Sequence, residues 1–165
     1  VAVNVSPVQV RRDDIVARVR RVLDETGIHP ARLELEITES LMMGDDPQVL
    51  QKLTELKRFG IKLAIDDFGT GYSNLAYLRR FNVDRLKIDQ SFIRDIDSRA
   101  DAAAIVGAVV DMGLRLGLNM LAEGVETEAE RQCLLAAGCH EMQGYLLGHP
   151  MPESGMELLL AGLPR

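Results

Sequence analysis

Two adjacent aspartates, Asp66 and Asp67, follow a predicted strand and precede a glycine-rich segment at residues 69–71. Neighbouring carboxylates repel each other unless cations lie between them, so the pair is a candidate site for divalent metal ions. The glycines allow the backbone to approach a ligand closely or to move over it. The alternative is a solvated turn, because Asp and Gly are both common in turns.

Polar residues recur at the carboxyl ends of the other predicted strands. With the aspartate pair they form the set Asn4, Glu36, Glu39, Asp66, Asp67, Lys87, Asp89, Glu123, Glu126 and Gln143. An open doubly wound sheet keeps its ligand site at one switch point, whereas a closed parallel barrel gathers all strand ends around one mouth. Contributions from six successive strands favour an α/β fold of the (β/α)8 TIM-barrel type.

Single members of this set have ordinary alternatives. Lys87 lies between two apolar residues of a strand, so we expect it to be paired with carboxylates or to position an activated water. Glu36 is either an exposed strand carboxylate or part of the site. Gln143 is either a polar turn residue or part of the site, and Asn4, in an Asn-x-Ser sequence, is either a cap or a ligand.

Hydrophobic periodicity and capping signals place the elements in alternation. Strands are predicted at residues 1–4, 33–37, 61–66, 85–88, 119–122 and 141–147. Helices are predicted after Asp13 up to Gly27 and at residues 46–59, 73–78, 100–116, 127–137 and 152–160. The predicted core-facing helix residues are Ile15, Val16, Val19, Val22, Leu23, Val49, Leu50, Leu53, Leu56, Ile105, Val106, Val109, Val110 and Met112.

Length and composition limit the classes of function. The chain has 165 residues, 47% of them hydrophobic and 27% charged, which fits one domain over residues 1–165. The net charge of −6 argues against a DNA or RNA partner. We find no membrane segment and no secretory signal, and we interpret Cys133 and Cys139 as buried thiols of a cytoplasmic protein. His29, His140 and His149 lack metal-ligand spacing.

Seven motifs in order along the chain resemble the EAL domain family, bacterial phosphodiesterases of the second messenger cyclic di-GMP. They are NVS (4–6), ELEITES (34–40), DDFGTGYSNL (66–75), LKID (86–89), AEGVET (122–127), QGY (143–145) and PMP (150–152). The resemblance implies a modified (β/α)8 barrel and hydrolysis of one phosphodiester bond to linear pGpG with two Mg²⁺ or Mn²⁺ ions. It also admits a homodimer.

The resemblance also implies roles for single residues. The metal ligands would be Asn4, Glu36, Asp66, Asp67 and Glu123, with Asp66 bridging the two ions. The catalytic group would comprise Lys87, which positions the attacking water, together with Glu123 and Gln143. Glu39 and Glu126 would hold the loop formed by Phe68, Gly69, Thr70 and Gly71, and Asp89 and Pro150 would lie near a guanine.

One departure from the family pattern limits these expectations. The glutamate-alanine-leucine motif is absent, and so are the first strand, its helix and most of the second strand. We therefore expect the C-terminal two-thirds of the domain, from a partial gene or from a larger multidomain regulator. We expect these residues alone to be aggregation-prone or partly unfolded, and at best very weakly active. A catalytically silent cyclic di-GMP receptor or partner-binding module is an alternative, as is another metal-dependent barrel enzyme of the enolase type. An upstream EAL-x-R sequence would favour the phosphodiesterase.

Overall fold

In the part of the chain that the structure describes, the fold is built on one parallel sheet whose six strands pair in the order of the sequence. The computed structural model describes residues 1–42, 46–69, 78 and 80–162. The strands are β1 Ala2–Val5, β2 Glu34–Thr38, β3 Lys62–Phe68, β4 Arg85–Ile88, β5 Asn119–Ala122 and β6 Glu141–Met142. Consecutive parallel pairing of this kind forms the wall of a (β/α) barrel and brings all the carboxyl ends of the strands to one edge.

Helices connect the strands. They are α1 Pro7–Arg12, α2 Ile15–Thr26, α3 Glu39–Met42, α4 Pro47–Arg58, α5 Gln90–Ile93, α6 Ala100–Arg115, α7 Glu128–Ala136 and α8 Glu153–Gly162, with a 3₁₀ turn at Pro30–Arg32. The predicted signals act as expected at several ends. The Asp46 carboxylate caps α4 ahead of Pro47, and Gly27 ends α2 in the left-handed conformation.

Strands β2 and β4 present one apolar face and one polar face. Leu35 and Ile37 on β2 and Leu86 and Ile88 on β4 are almost fully buried and share a hydrophobic core with the helices. The residues that alternate with them include the charged Glu34, Glu36, Arg85 and Lys87. Side chains alternate between the two faces of a strand, so the hydrophobic core lies between sheet and helices while the polar face is left for chemistry.

Two predictions of buried helix residues are wrong. Val22 is 40% exposed and Ile105 is 48% exposed. Helix α6 carries apolar residues around much of its circumference, so its sequence does not define the buried side, which Val106 and Val110 occupy. In α2 the buried side is narrower than predicted and is formed by Ile15, Val16 and Val19.

The predicted strand at 141–147 is also too long. Strand β6 ends at Met142, and a turn follows in which the Leu147 N–H donates to the Gly144 carbonyl oxygen. The glycine at position 144 interrupts the apolar run, and this favours a turn. Three short helices, α1, α3 and α5, were not predicted, because they contain six, four and four residues and show little periodicity. The predicted helix at 73–78 falls largely outside the described residues.

Within the described part of the chain, each helix is too short or too polar to cross a bilayer.

Candidate functional site

Lys87 lies among three carboxylates at the carboxyl edge of the sheet. Its Nζ is 2.7 Å from Asp66 Oδ1, 2.9 Å from Glu123 Oε1 and 3.0 Å from Glu36 Oε2. The carboxylates come from β3, from the residue after β5 and from β2, so three strand ends converge on one ammonium group. Lys87 is only 4% exposed. The sequence predicted this placement, whereas the part Lys87 plays in a reaction stays a prediction.

The charge state of Lys87 follows from its neighbours. Burial by itself lowers its pKa, but the hydrogen bonds to Asp66, Glu123 and Glu36 outweigh burial and raise the pKa above its ordinary value. The side chain is therefore an ammonium group at neutral pH. In this arrangement the three N–H groups of Lys87 face three carboxylates, so Lys87 can donate to a nucleophile or a developing anion only when one carboxylate moves away, and it cannot accept a proton as a general base.

A β-bulge brings both aspartates of the pair to the site. Ile65 pairs with Leu86 and Phe68 with Ile88, so β3 contains one more residue than β4 between these two points. Asp67 has a φ of 54°, the left-handed conformation that few non-glycine residues adopt. Adjacent strand residues normally point to opposite faces, and the bulge allows the two carboxylates to lie close together.

Oxygen donors converge beside Lys87 in a way that fits a divalent cation. One carboxylate oxygen from each of Asp66, Asp67 and Glu123 lies within 4.8 Å of the other two. Burial and the charge of Asp66 raise the pKa of Asp67. Burial also raises the pKa of Glu123, against the opposing effect of Lys87. A bound cation removes both costs, and hard ions such as Mg²⁺ and Mn²⁺ prefer this donor set.

Asn4 extends the same cluster from β1. The end of its carboxamide lies 3.1 Å from Asp66 Oδ2 and 3.2 Å from Glu36 Oε2. With its nitrogen on that side Asn4 donates to both carboxylates, and with its oxygen on that side it adds a further cation ligand. Four of the strands, β1 to β4, and the residue after β5 therefore contribute to one polar cluster.

Glu39 holds the start of the glycine-rich segment. Its Oε2 accepts a hydrogen bond from the Gly69 backbone N–H at 3.3 Å, and the Glu39 side chain is buried. Phe68, predicted as part of the loop, is instead the last residue of β3 and belongs to the hydrophobic core. Thr70 and Gly71 lie outside the described residues.

We expect Gly69→Ala to destabilise this connection. Gly69 has a φ of +98°, and a Cβ atom at this position would lie 2.7 Å from Cε2 of Phe92. Backbone strain and overlap together should lower the free energy of unfolding by about 1–3 kcal/mol. Chemical denaturation measures the effect. Gly107→Ala in α6 is the matched control, because its Cβ has no neighbour within 4 Å and should instead stabilise the helix by up to about 1 kcal/mol. Equal effects of the two substitutions would contradict the expectation.

Three predicted site residues, Gln143, Glu126 and Pro150, lie apart from the Lys87 cluster in their described contacts. Gln143 is exposed, and its backbone pairs with Ala122 and Val125. Asp89 caps α5 by accepting from the Ser91 N–H, and its charge contributes to the raised pKa of Asp67. Glu126 is exposed, and its contact within the described residues is made by its backbone N–H. Pro150 is exposed.

Sequence reasoning missed the buried carboxylate of Glu130. Its Oε2 accepts from the backbone N–H groups of Glu126 and Thr127, and the Thr127 hydroxyl oxygen accepts from the Glu130 N–H. This is a capping box, which fixes the turn between the Glu123 site and α7. The Thr-x-x-Glu spacing was the signal that could have revealed it.

Comparison with known proteins identifies the family of this chain. The sequence model of the EAL domain family matches residues 1–150. The chain therefore belongs to the EAL domain family, as the motifs predicted. The predicted α/β fold of TIM-barrel type is confirmed by its likeness to solved EAL domains.

Particular relatives show how far the likeness extends. Bifunctional diguanylate cyclase/cyclic di-GMP phosphodiesterase MucR of Pseudomonas aeruginosa is 45% identical over 163 residues, covering 99% of this chain and 23% of MucR. The chain spans about a fifth of the length of the curated relatives it matches. The EAL domain of Mycobacterium smegmatis DcpA has a TM-score of 0.92 at 43% identity, covering 99% of this chain and 74% of the other. A manganese and cyclic di-GMP complex of Klebsiella pneumoniae BlrP1 has a TM-score of 0.81 at 37% identity, covering 88% and 37%.

Proposed function

We propose that this chain forms the catalytic part of a phosphodiesterase that hydrolyses one phosphodiester bond of cyclic di-GMP and releases linear pGpG in bacterial signalling. The observation that carries the proposal is the buried ammonium of Lys87 beside a convergent set of carboxylates at the edge of the sheet. MucR, a relative at 45% identity, is named a cyclic di-GMP phosphodiesterase, and this supports the choice of substrate.

We further propose that the site holds two Mg²⁺ or Mn²⁺ ions. Their ligands would be Asn4, Glu36, Asp66, Asp67 and Glu123. Carboxylate oxygens with one amide oxygen are the donors that hard ions such as Mg²⁺ prefer, and water and substrate would complete the coordination. When bound, the ions supply an activated water and neutralise charge that develops on the phosphoryl oxygens.

The side chains of the proposed site have different roles. The carboxylates hold the cations, and without cations they would repel the anionic phosphodiester. Lys87 donates a hydrogen bond that orients the attacking oxygen, through an N–H group that one of its carboxylates would release on binding a cation. Glu39, through the Gly69 N–H, fixes the backbone that follows the two aspartates. The predicted contacts of Asp89 and Pro150 with a guanine stay predictions.

The test is turnover of cyclic di-GMP by the protein that contains these 165 residues, with pGpG separated by chromatography. We expect turnover with Mg²⁺ or Mn²⁺ and none after treatment with excess chelator, and we expect metal addition to restore it. Full turnover in chelator would refute the metal requirement. Tight binding of cyclic di-GMP without hydrolysis under every metal condition would instead identify a receptor.

A further inference from the structure

A second charged cluster lies in the sheet below the Lys87 site. Arg85 Nη1 is 2.8 Å from Glu141 Oε2, and Arg85 Nε is 3.3 Å from Glu34 Oε2, an ion pair without the alignment of a hydrogen bond. The Arg85 side chain is 18% exposed and that of Glu34 is 13% exposed. The three residues lie at the starts of β4, β6 and β2.

This cluster repeats the arrangement of the site one step lower on the same strands. Arg85 precedes Lys87 by two residues on β4, and Glu34 precedes Glu36 by two residues on β2. Residues two apart on a strand project from the same face. Arg85 therefore stands beneath Lys87 and Glu34 beneath Glu36, on the same face of the sheet.

The ion pairs of Arg85 join strands that are not hydrogen-bonded to each other. Strand β3 lies between β2 and β4, and β5 lies between β4 and β6. Backbone hydrogen bonds set the spacing of adjacent strands at about 4.8 Å, but they leave the curvature of a sheet comparatively free. A link between second neighbours fixes that curvature, and the curvature decides how closely Glu36 and Lys87 approach.

The intervening strand leaves room for this link. Ala64 of β3 pairs in register with Glu36 on one side and with Arg85 on the other, and it is fully buried. A small side chain at this position allows the long Arg85 side chain to cross over β3 towards Glu34. The planar guanidinium also reaches two carboxylates from one rigid group, which a lysine ammonium does less well.

We propose that Arg85 is a positioning residue for the active site, through ion pairs with Glu34 and Glu141 that set the separation of β2, β4 and β6 beneath Glu36 and Lys87. The link to catalysis rests on the proposed function. The effect of Arg85 on the contacts of Lys87 can be measured independently of that function. Removal of Arg85 should release Lys87 from its carboxylates and weaken metal binding above it.

Arg85→Met keeps the aliphatic stem and removes the charge, and Arg85→Lys keeps the charge. Two readouts are made on the protein that contains these residues. The first is acetylation of Lys87 in metal-free protein, followed by mass spectrometry, and the second is Mn²⁺ affinity from the spin resonance of free Mn²⁺. For Arg85→Met we expect faster acetylation of Lys87 and about tenfold weaker Mn²⁺ binding. Arg85→Lys should return both the acetylation rate and the Mn²⁺ affinity most of the way to the wild-type values. Where turnover is present, the kcat of Arg85→Met should fall more than its KM rises.

Lys57→Met is the matched control. It breaks another partly buried ion pair, between Lys57 and Asp84, which lies outside the polar cluster. If Arg85→Met acted only by destabilising the fold, Lys87 acetylation would change equally in Arg85→Met and in Lys57→Met. Equal changes would overturn the proposal. Where Arg85→Met does not fold, Glu141→Gln removes one of the two ion pairs, and unchanged acetylation and Mn²⁺ affinity in that variant would overturn it as well. Failure of the wild-type protein to hydrolyse cyclic di-GMP would refute the proposed function, while the acetylation comparison would still decide the role of Arg85.

Discussion

Asp66→Asn should abolish most of the hydrolysis of cyclic di-GMP while the fold survives. Asp66 contacts Lys87 at 2.7 Å and shares the donor cluster with Asp67 and Glu123, so the substitution removes one charge from both the metal ligands and the lysine contacts. Outer-shell substitutions already cost about 10–100-fold in metal affinity or activity, and we expect loss of a direct ligand to reduce kcat by at least about a hundredfold. The measurement combines steady-state turnover with Mn²⁺ affinity and circular dichroism.

Asp111→Asn provides the control for a change of charge at a distance from the site. Asp111 pairs with Arg115 on the exposed side of α6, and both side chains are largely solvated. Such pairs contribute about 0–1 kcal/mol, so this variant should retain wild-type turnover and metal affinity. An Asp66→Asn variant that binds Mn²⁺ and turns over as well as Asp111→Asn would exclude Asp66 as a metal ligand.

Lys87→Met should reduce turnover far more than it weakens binding of cyclic di-GMP. The ammonium orients the attacking oxygen in the proposed mechanism, and this contribution is made during the reaction rather than on binding. We expect kcat to fall by about 10²–10³-fold, comparable with loss of one oriented donor at an active site, with a much smaller change in KM. The exposed Lys62, on the adjacent strand, supplies the control variant Lys62→Met, which should retain turnover.

The same variant should reveal the structural role of the ammonium. In the Lys87→Met variant, the carboxylates of Glu36, Asp66 and Glu123 would face one another with no internal cation. Breaking a buried ion pair costs about 3–5 kcal/mol. Because folding raises the pKa of Lys87, its ion pairs stabilise the protein wherever the carboxylates are ionised and the pH is below the ordinary lysine range, and they weaken as the pH rises through the raised pKa. We expect Mn²⁺ to raise the melting temperature of Lys87→Met more than that of the wild type. Normal turnover by this variant would show that another group positions the nucleophile.

The sequence predicted the bounds of β4 and β5 best. Residues 85–88 and 119–122 were predicted as observed, because charged and apolar residues alternate in β4 and three apolar residues follow Asn119 in β5. The convergence of Glu36, Asp66, Lys87 and Glu123 also followed from one idea, that the carboxyl ends of parallel strands share an edge.

Other features of the site depend on tertiary structure and left no sequence signal. The bulge at Asp67 is set by the pairing of β3 with β4, which no local propensity describes. The contacts of Arg85 with Glu34 and Glu141 join residues more than fifty positions apart along the chain. The exposure of Ile105 reflects which side of an apolar helix meets the sheet, and periodicity could not decide it.

The separation of apolar and charged residues onto opposite faces of a strand has a consequence for how such a domain diversifies. Leu86 and Ile88 hold the helices in place, whereas Arg85 and Lys87 of the same strand hold charge on the opposite face. Substitutions on the charged face can change the reaction or abolish it while the packing of the helices persists, so an inactive descendant can keep the scaffold of an active ancestor. A one-residue deletion within a strand has a different effect, because it moves the apolar side chains to the charged face and the charged side chains to the apolar face. It disrupts packing and chemistry together.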